Sequence, residues 1–177
     1  MTYTQHYDSP LGGILLAADE EGLTGLWFDG QKYFARTLPK EYAESETPVL
    51  CEAKRWLDIY FSGREPDFTP PLHPVGSAFQ QVVWALLLEI PYGETTTYGT
   101  LARKLAEKQG LTHMSAQAVG GAVGHNDISL IIPCHRVVGA SGSLTGYAGG
   151  VDKKIKLLEL ERADMKSFFV PKKGTAL

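Results

Sequence analysis

The chain has 177 residues, 44% hydrophobic and 21% charged, the make-up of a globular protein with material for one core or two small ones. No apolar stretch approaches the ~20 residues that a membrane-spanning helix requires, and "MTYTQHYDSP" lacks the basic-then-apolar pattern of a signal peptide. The net charge of −3 is uneven: residues 1–76 carry 6 Lys/Arg against 12 Asp/Glu, residues 77–177 carry 11 against 8, so only the second part suits a phosphate backbone.

The opening reads as β structure. "TYTQHY" alternates, "SPLGG" turns, "ILLAA" is a buried run, "DEEG" turns again and "LTGLWF" is a further strand. An amphipathic helix is expected over Val49–Phe61, with Leu50, Ala53, Leu57, Tyr60 and Phe61 on one face. "SGREPDFTPPLHPVGS", with four prolines and two glycines, reads as a linker. It separates an α/β domain over 1–74 from a helical domain over 75–177.

The second part turns helical. "SAFQQVVWALLLEIP" has a Ser77 cap and stops before Pro91. "TTTYGTLARKLAEKQG" has threonine caps and a closing glycine, and "THMSAQAVGGAVGHN" is a small-residue helix. The two suggest a helix-turn-helix. Ala116, Ala118, Gly120, Gly121 and Ala122 either let the backbone approach another surface or pack a neighbouring helix tightly. "DISLIIP" is an extended apolar run, "GASGSLTGYAGG" a glycine-rich loop and "VDKKIKLLELERA" a final amphipathic helix.

The run ends in "IIPCHRVVG", and Cys134 has two readings. It is a small, inert core thiol beside a satisfied histidine, or a nucleophile whose thiolate is favoured by His135, Arg136 and nearby helix ends. Pro133 fixes the backbone just before the sulfur, which suits presentation of a side chain into a pocket. The other thiol, Cys51, stands alone, no CxxC is present and the five histidines are scattered, so neither a metal nor a cofactor is expected. Two cysteines in unlike contexts fit a reducing, cytoplasmic setting.

"PCHRV" followed by "LTGYAGG" resembles the methylated-DNA–protein-cysteine methyltransferase family, the O6-alkylguanine-DNA alkyltransferases. "SPLGGILLAADEEGLTGLWF", "AFQQVVWALLLEIPYGETTTYGTLA", "AVGGAV" and "KIKLLELE" fall in the family's order, so the resemblance spans nearly the whole chain. It implies an α+β architecture: an N-terminal ribonuclease H-like α/β domain and a C-terminal helical domain with a helix-turn-helix. It implies a monomer that binds double-stranded DNA, flips out an alkylated guanine and moves the alkyl group from O6 to its own cysteine, once per molecule. O4-alkylthymine is a further candidate substrate.

On this resemblance Cys134 is the acceptor, His135 takes the thiol proton through a water and Glu161 orients the histidine, the usual logic of nucleophile, base and orienter. Asn126 braces the active-site turn. Tyr98 helps rotate the nucleotide and donates a proton to the departing guanine. Tyr147, Ala148 and Val137 line the alkyl pocket. Gln117, Tyr98, Gly99, Ala116 and Gly120 meet DNA. Taken singly, Glu161 reads as a solvated surface charge, Asn126 as a helix C-cap and Tyr98 as a half-buried aromatic at a helix start.

The chain departs from the family pattern in three places. Gln117 stands where the family usually has an arginine that fills the gap left by the flipped base. "RKLAEKQGLTHMSA" is longer than the usual turn between the helices. "GHND" replaces an ending in "NP", so a rigid proline is lost. Two other functions remain open to sequence reasoning: a damage-binding protein of the same fold that does no chemistry, and a cysteine hydrolase with a Cys-His-Glu site.

Overall fold

In the computed structural model, which describes residues 1–171, the alternating opening forms β1 (Thr2–Ser9) and the apolar runs form β2 (Gly12–Ala18) and β3 (Leu23–Phe28). Neighbours in this meander are antiparallel, with Tyr7 opposite Ile14 and Leu16 opposite Leu26. A short β4 (Tyr42–Glu44) joins β1 in parallel and gives the order β3-β2-β1-β4. Helix α1 (Pro48–Phe61) begins with proline in its first turn, where no amide donor is needed, and Thr47 caps it by accepting from the Leu50 amide. Its buried face is Leu50, Ala53, Trp56, Leu57 and Tyr60, and the helix packs on the sheet. Phe61, expected on that face, is half-buried, while Trp56 turns in and stacks on Tyr60 with centroids 5.1 Å apart. The sheet's central strand β2 is buried from Ile14 to Ala18, and Leu15 and Ala17 pack with Trp27, Ala35 and Leu38.

The chain divides into two compact units, Met1–Val75 with Asp127–Ile131, and Gly76–Asn126 with the residues from Ile132 onward. The proline-rich stretch read as a linker is partly structural: Leu23 exchanges backbone hydrogen bonds with it, its amide donating to the Pro71 carbonyl at 2.8 Å and its carbonyl accepting from the His73 amide at 2.8 Å. Prolines lack a donor, so such a segment covers a strand edge but cannot sit mid-sheet. The rest of the β3 edge is covered by 127–129. The Leu26 amide donates to the Asp127 carbonyl at 2.8 Å and the Ser129 amide to the Leu26 carbonyl at 3.1 Å.

Asp127 explains how the chain manages without the proline. The residue is 3% exposed, and its carboxylate accepts from Trp27 Nε1 at 3.1 Å and from Arg36 Nη2 at 2.6 Å. Two side-chain bonds hold the backbone where a ring would otherwise stiffen it. Replacing Asp127 by Ala leaves a buried indole N–H and a guanidinium without their acceptor. We expect a loss of about 1–3 kcal/mol in stability, measured by denaturant unfolding.

The second unit is helical: α2 (Ala78–Leu87), α3 (Tyr98–Lys108), α4 (Ala116–Gly124) and α5 (Val151–Leu160). Ser77 and Gln80 form a reciprocal capping box on α2. Helices α2, α3 and α4 pack on one another, and Trp84 Nε1 donates to the Ala122 carbonyl at 2.9 Å. Two short parallel strands, β5 (Thr96–Thr97) and β6 (Val137–Val138), pair Thr96 with Val137 and Thr97 with Val138. The architecture is α+β, as the resemblance implies. No helix among the described residues is long and apolar enough to cross a membrane.

Candidate active site

Strand β6 is what brings the site together. It follows directly on the 3-10 turn of Cys134, His135 and Arg136, and its partner β5 runs directly into Tyr98. Pairing two strands of two residues each therefore carries Tyr98 toward Cys134, 36 positions later in the chain. Pro133 precedes the turn with φ −82° and ψ 65°. The turn is tied by Cys134 N–H to the Ile132 carbonyl at 2.8 Å and Arg136 N–H to the Pro133 carbonyl at 3.0 Å. Asn126 Nδ2 donates to the same Ile132 carbonyl at 2.8 Å. Asn126 is thus not a helix cap: His125 ends α4, and Asn126 is a buried brace.

Behind the sulfur lies a charged core. His135 is fully buried, with Nε2 2.6 Å from Glu161 Oε2. The other carboxylate oxygen accepts from Arg136 Nε at 2.8 Å and the Gly93 amide at 3.1 Å. Arg136 spends another N–H on the Ile90 carbonyl at 2.7 Å. Glu161 is 2% exposed, so its reading as a solvated surface charge is corrected. Burial alone would raise its carboxyl, but the hydrogen bonds and charges of His135 and Arg136 outweigh burial and hold it well below the usual carboxylate range. Gly93, at φ +81°, leaves the space beside Glu161 that a Cβ would narrow to 3.0 Å from its carbonyl oxygen.

The carboxylate accepts and cannot donate, so a neutral His135 carries its proton on Nε2 and leaves Nδ1 as the basic nitrogen. Burial lowers the histidine's pKa, and Glu161 opposes that shift. Burial raises the Cys134 thiol, while a hydrogen bond from the Asn126 side chain and the charge of Lys154 pull it back. Cys134 is a buried residue, 7% exposed, so the thiol is not freely accessible. Such an arrangement can pass a thiol proton to a base and stabilise the thiolate that remains.

The other residues singled out from sequence lie as follows. Tyr98 is the first residue of α3, half-buried, with its hydroxyl 3.4 Å from the Thr145 carbonyl. Burial, and the charge of Cys134, push its phenol up to about 12, so it is a donor at neutral pH. Tyr147 is buried with its ring edge-on to His135, centroids 6.4 Å apart. Val137 is buried in β6, and Ala148 is half-buried in the glycine-rich loop. On α4, Ala116, Gln117, Ala118 and Gly121 are exposed, whereas Ala122 packs inward. A Cβ on Gly121 would meet nothing within 4 Å, and one on Gly120 would only touch the Tyr98 ring at 3.7 Å. Tight helix packing therefore does not require these glycines, and the smooth outer face of α4 is open to a partner. Gly99 is half-buried beside the 109–115 connection, which with α3 forms a cleft of about 280 Å³ reaching Arg103 and His113.

Two groups escaped sequence reasoning. Arg136 was noticed only as a nearby charge, yet it fixes Glu161. Lys154 carries no signal of its own within "VDKKIKLLELERA", yet it is fully buried. The signal lies in the spacing: Lys154, Leu157, Leu158 and Glu161 follow i, i+3, i+4, i+7, so both charges sit on the apolar stripe of α5.

Comparison with known proteins gives a consistent picture. Residues 2–74 match the ribonuclease-like domain of 6-O-methylguanine DNA methyltransferase, and residues 78–163 match its DNA-binding domain. The methylated-DNA–protein-cysteine methyltransferase of Methanosarcina acetivorans is 46% identical over 160 residues, covering 90% of this chain and 97% of that protein. The Haemophilus influenzae protein of the same name is 42% identical over 161 residues, covering 90% and 86%. Among solved structures, Mycobacterium tuberculosis OGT in complex with DNA superposes with a TM-score of 0.78 at 42% identity, covering 91% of this chain and 94% of that one.

Proposed function

Because the chain belongs to the 6-O-methylguanine DNA methyltransferase family, matching both of its domains, we propose that Cys134 takes the alkyl group from O6-alkylguanine in duplex DNA in one irreversible displacement. The observation that carries this reading is a buried His135–Glu161 pair, with Glu161 fixed by Arg136, on the turn that begins with Cys134. His135 Nδ1 takes the thiol proton through a water. The thiolate attacks the alkyl carbon, the S–C bond forms as the C–O6 bond breaks, and the bond pair leaves with guanine. Tyr98, protonated at neutral pH, donates to the departing base and is restored by the proton that His135 holds. The thioether cannot be reversed by this machinery, so each molecule acts once. Two free thiols support a reducing, cytoplasmic setting.

The experiment is an intact mass after incubation with duplex DNA containing O6-methylguanine. A stoichiometric gain of one methylene, mapped to Cys134, supports the reading. Binding without a mass change would make the protein a damage-binding factor. Repeated turnover of an ester or amide would make it a hydrolase.

The exposed face of α4 supports DNA engagement through small residues that let the backbone approach a groove. Gln117 projects from this face and, being shorter and uncharged, fills the vacated base position less well than arginine. A charge-assisted hydrogen bond exceeds a neutral one by about 1 kcal/mol. Gln117→Arg should therefore raise the single-turnover rate on duplex DNA by up to roughly tenfold. It should leave reaction with the free O6-methylguanine base unchanged, since nothing is flipped there. An unaltered duplex rate would mean that Gln117 is not the residue that fills the gap.

A further inference from the structure

We propose that Lys154 is a positioning residue of the acceptor site: its ammonium ties the strand after Cys134 to the loop of Tyr147 and supplies the positive charge against which the thiolate forms. The proposal rests on Cys134 being the alkyl acceptor.

Lysine is the side chain least often fully buried, because its ammonium loses water and its stem loses rotamer freedom. Here it is 0% exposed, and α5 carries it inward on the same stripe as Leu157 and Leu158. Nζ donates to the Val137 carbonyl at 2.6 Å and to the Thr145 carbonyl at 2.7 Å. Val137 follows the Cys134–Arg136 turn immediately, and Thr145 lies two residues before Tyr147. The Thr145 carbonyl also takes the Tyr98 hydroxyl. One cation thus gathers β6, the glycine-rich loop and the first residue of α3 around the sulfur. A scaffold alone could be built from a neutral donor. The charge needs another reason.

That reason is the electrostatic coupling between Lys154 and Cys134. Burial pushes the ammonium down to about 8, and the Cys134 charge is the influence that opposes it. Reciprocally, Lys154 is among the influences that bring the buried thiol back down. The titratable groups facing this pair are His135 on the turn, whose protonation Lys154 disfavours, and Tyr98 on α3, which the Cys134 charge keeps protonated. Glu161 is occupied by His135 and Arg136, so it does not neutralise Lys154. The thiolate is the counter-charge that the lysine lacks. Alkyl transfer converts that thiolate into an uncharged thioether, and Lys154 must then hold its proton without a partner.

Two measurements test this, both on a Cys51→Ser background so that one thiol reports. In the first, Cys134 is carbamidomethylated with iodoacetamide across pH and read by peptide mass, for the parent and Lys154→Met. The midpoint should rise by about one pH unit or more in the Met variant, and transfer from free O6-methylguanine at pH 7 should slow roughly tenfold, the thiolate lost per unit. An unchanged midpoint overturns the proposal, even if the rate falls, because a purely structural lysine would do that. The second needs no substitution at Lys154 and decides the matter if the Met variant does not fold. The Lys154 side-chain resonance is titrated before and after methylation of Cys134. Its midpoint should fall on methylation, and an unchanged midpoint overturns the proposal. Neither thiol titration nor the resonance of the unmethylated protein involves DNA. Failure to acquire a methyl group from duplex DNA would instead overturn the acceptor assignment.

Discussion

Cys134→Ser will transfer no measurable alkyl group, a loss on the order of 10⁴-fold or more, because every aid at this position is scaled to a thiol. A free thiol titrates near ~8.5, and burial at Cys134 raises that, with Asn126 and Lys154 partly offsetting the rise. The base has little to spare: burial lowers His135. A weak base can take the proton of a thiol that already has a hydrogen-bond donor and a cation beside it. It cannot take the proton of an alcohol, whose anion lies several pH units higher and is a poorer nucleophile toward saturated carbon. The backbone of the turn does not depend on the sulfur, since its bonds run from the Cys134 amide to Ile132 and from the Arg136 amide to Pro133. The exposed residues of α4 are likewise untouched. The Ser variant should therefore bind methylated duplex with nearly unchanged affinity while its intact mass stays constant. A Ser variant that still clears methyl label from DNA would show that another side chain is the acceptor.

The parts of the fold that rest on local periodicity were legible in the sequence. Alternation found β1, apolar runs between turns found β2 and β3, an amphipathic period found α1 to within a residue, and Ser77 before an apolar period found the start of α2. The grouping of Asp127–Ile131 with the first unit was not legible. Its bonding partner, Leu26, lies about a hundred residues away. Nothing local to "DISLI" encodes such a pairing. The site shows the same division. Cys134, His135 and Asn126 sit within nine positions and stand out through "PCHR" and the family order. Lys154 and Arg136 did not stand out, because a charged residue reads as solvated until its surroundings are known. Glu161 was found only through the resemblance, although its place on the apolar stripe with Lys154 could have flagged both.

Glu161→Gln should slow transfer by about 10²–10³-fold and move the rate-versus-pH profile to higher pH. The carboxylate has three donors, namely His135 Nε2–H, Arg136 Nε–H and the Gly93 amide. It meets them with two acceptor oxygens. Glutamine presents one oxygen and one NH₂, so one of the buried donors faces another donor. If the histidine loses, the ring is no longer held with its proton on Nε2, and Nδ1 is no longer assured as the base. Even with the tautomer kept, the imidazolium formed during proton transfer lacks its counter-charge. Its pKa, already lowered by burial, falls further, and the thiol must be ionised by solvent at higher pH. Stability should change with pH in the opposite sense. Glu161 is depressed in the folded state, so its contribution is complete above the unfolded carboxyl's ~4.3 and is lost as pH falls toward the folded value. The wild-type protein should lose this increment on acidification, and the glutamine variant, which has no proton to take up there, should not. The checks are single-turnover rates from pH 6 to 9 and unfolding midpoints from about pH 3 to 7 for both proteins. A parallel rate profile, displaced in height but not along the pH axis, would reduce Glu161 to an anchor for Arg136 and leave His135 to choose its own tautomer.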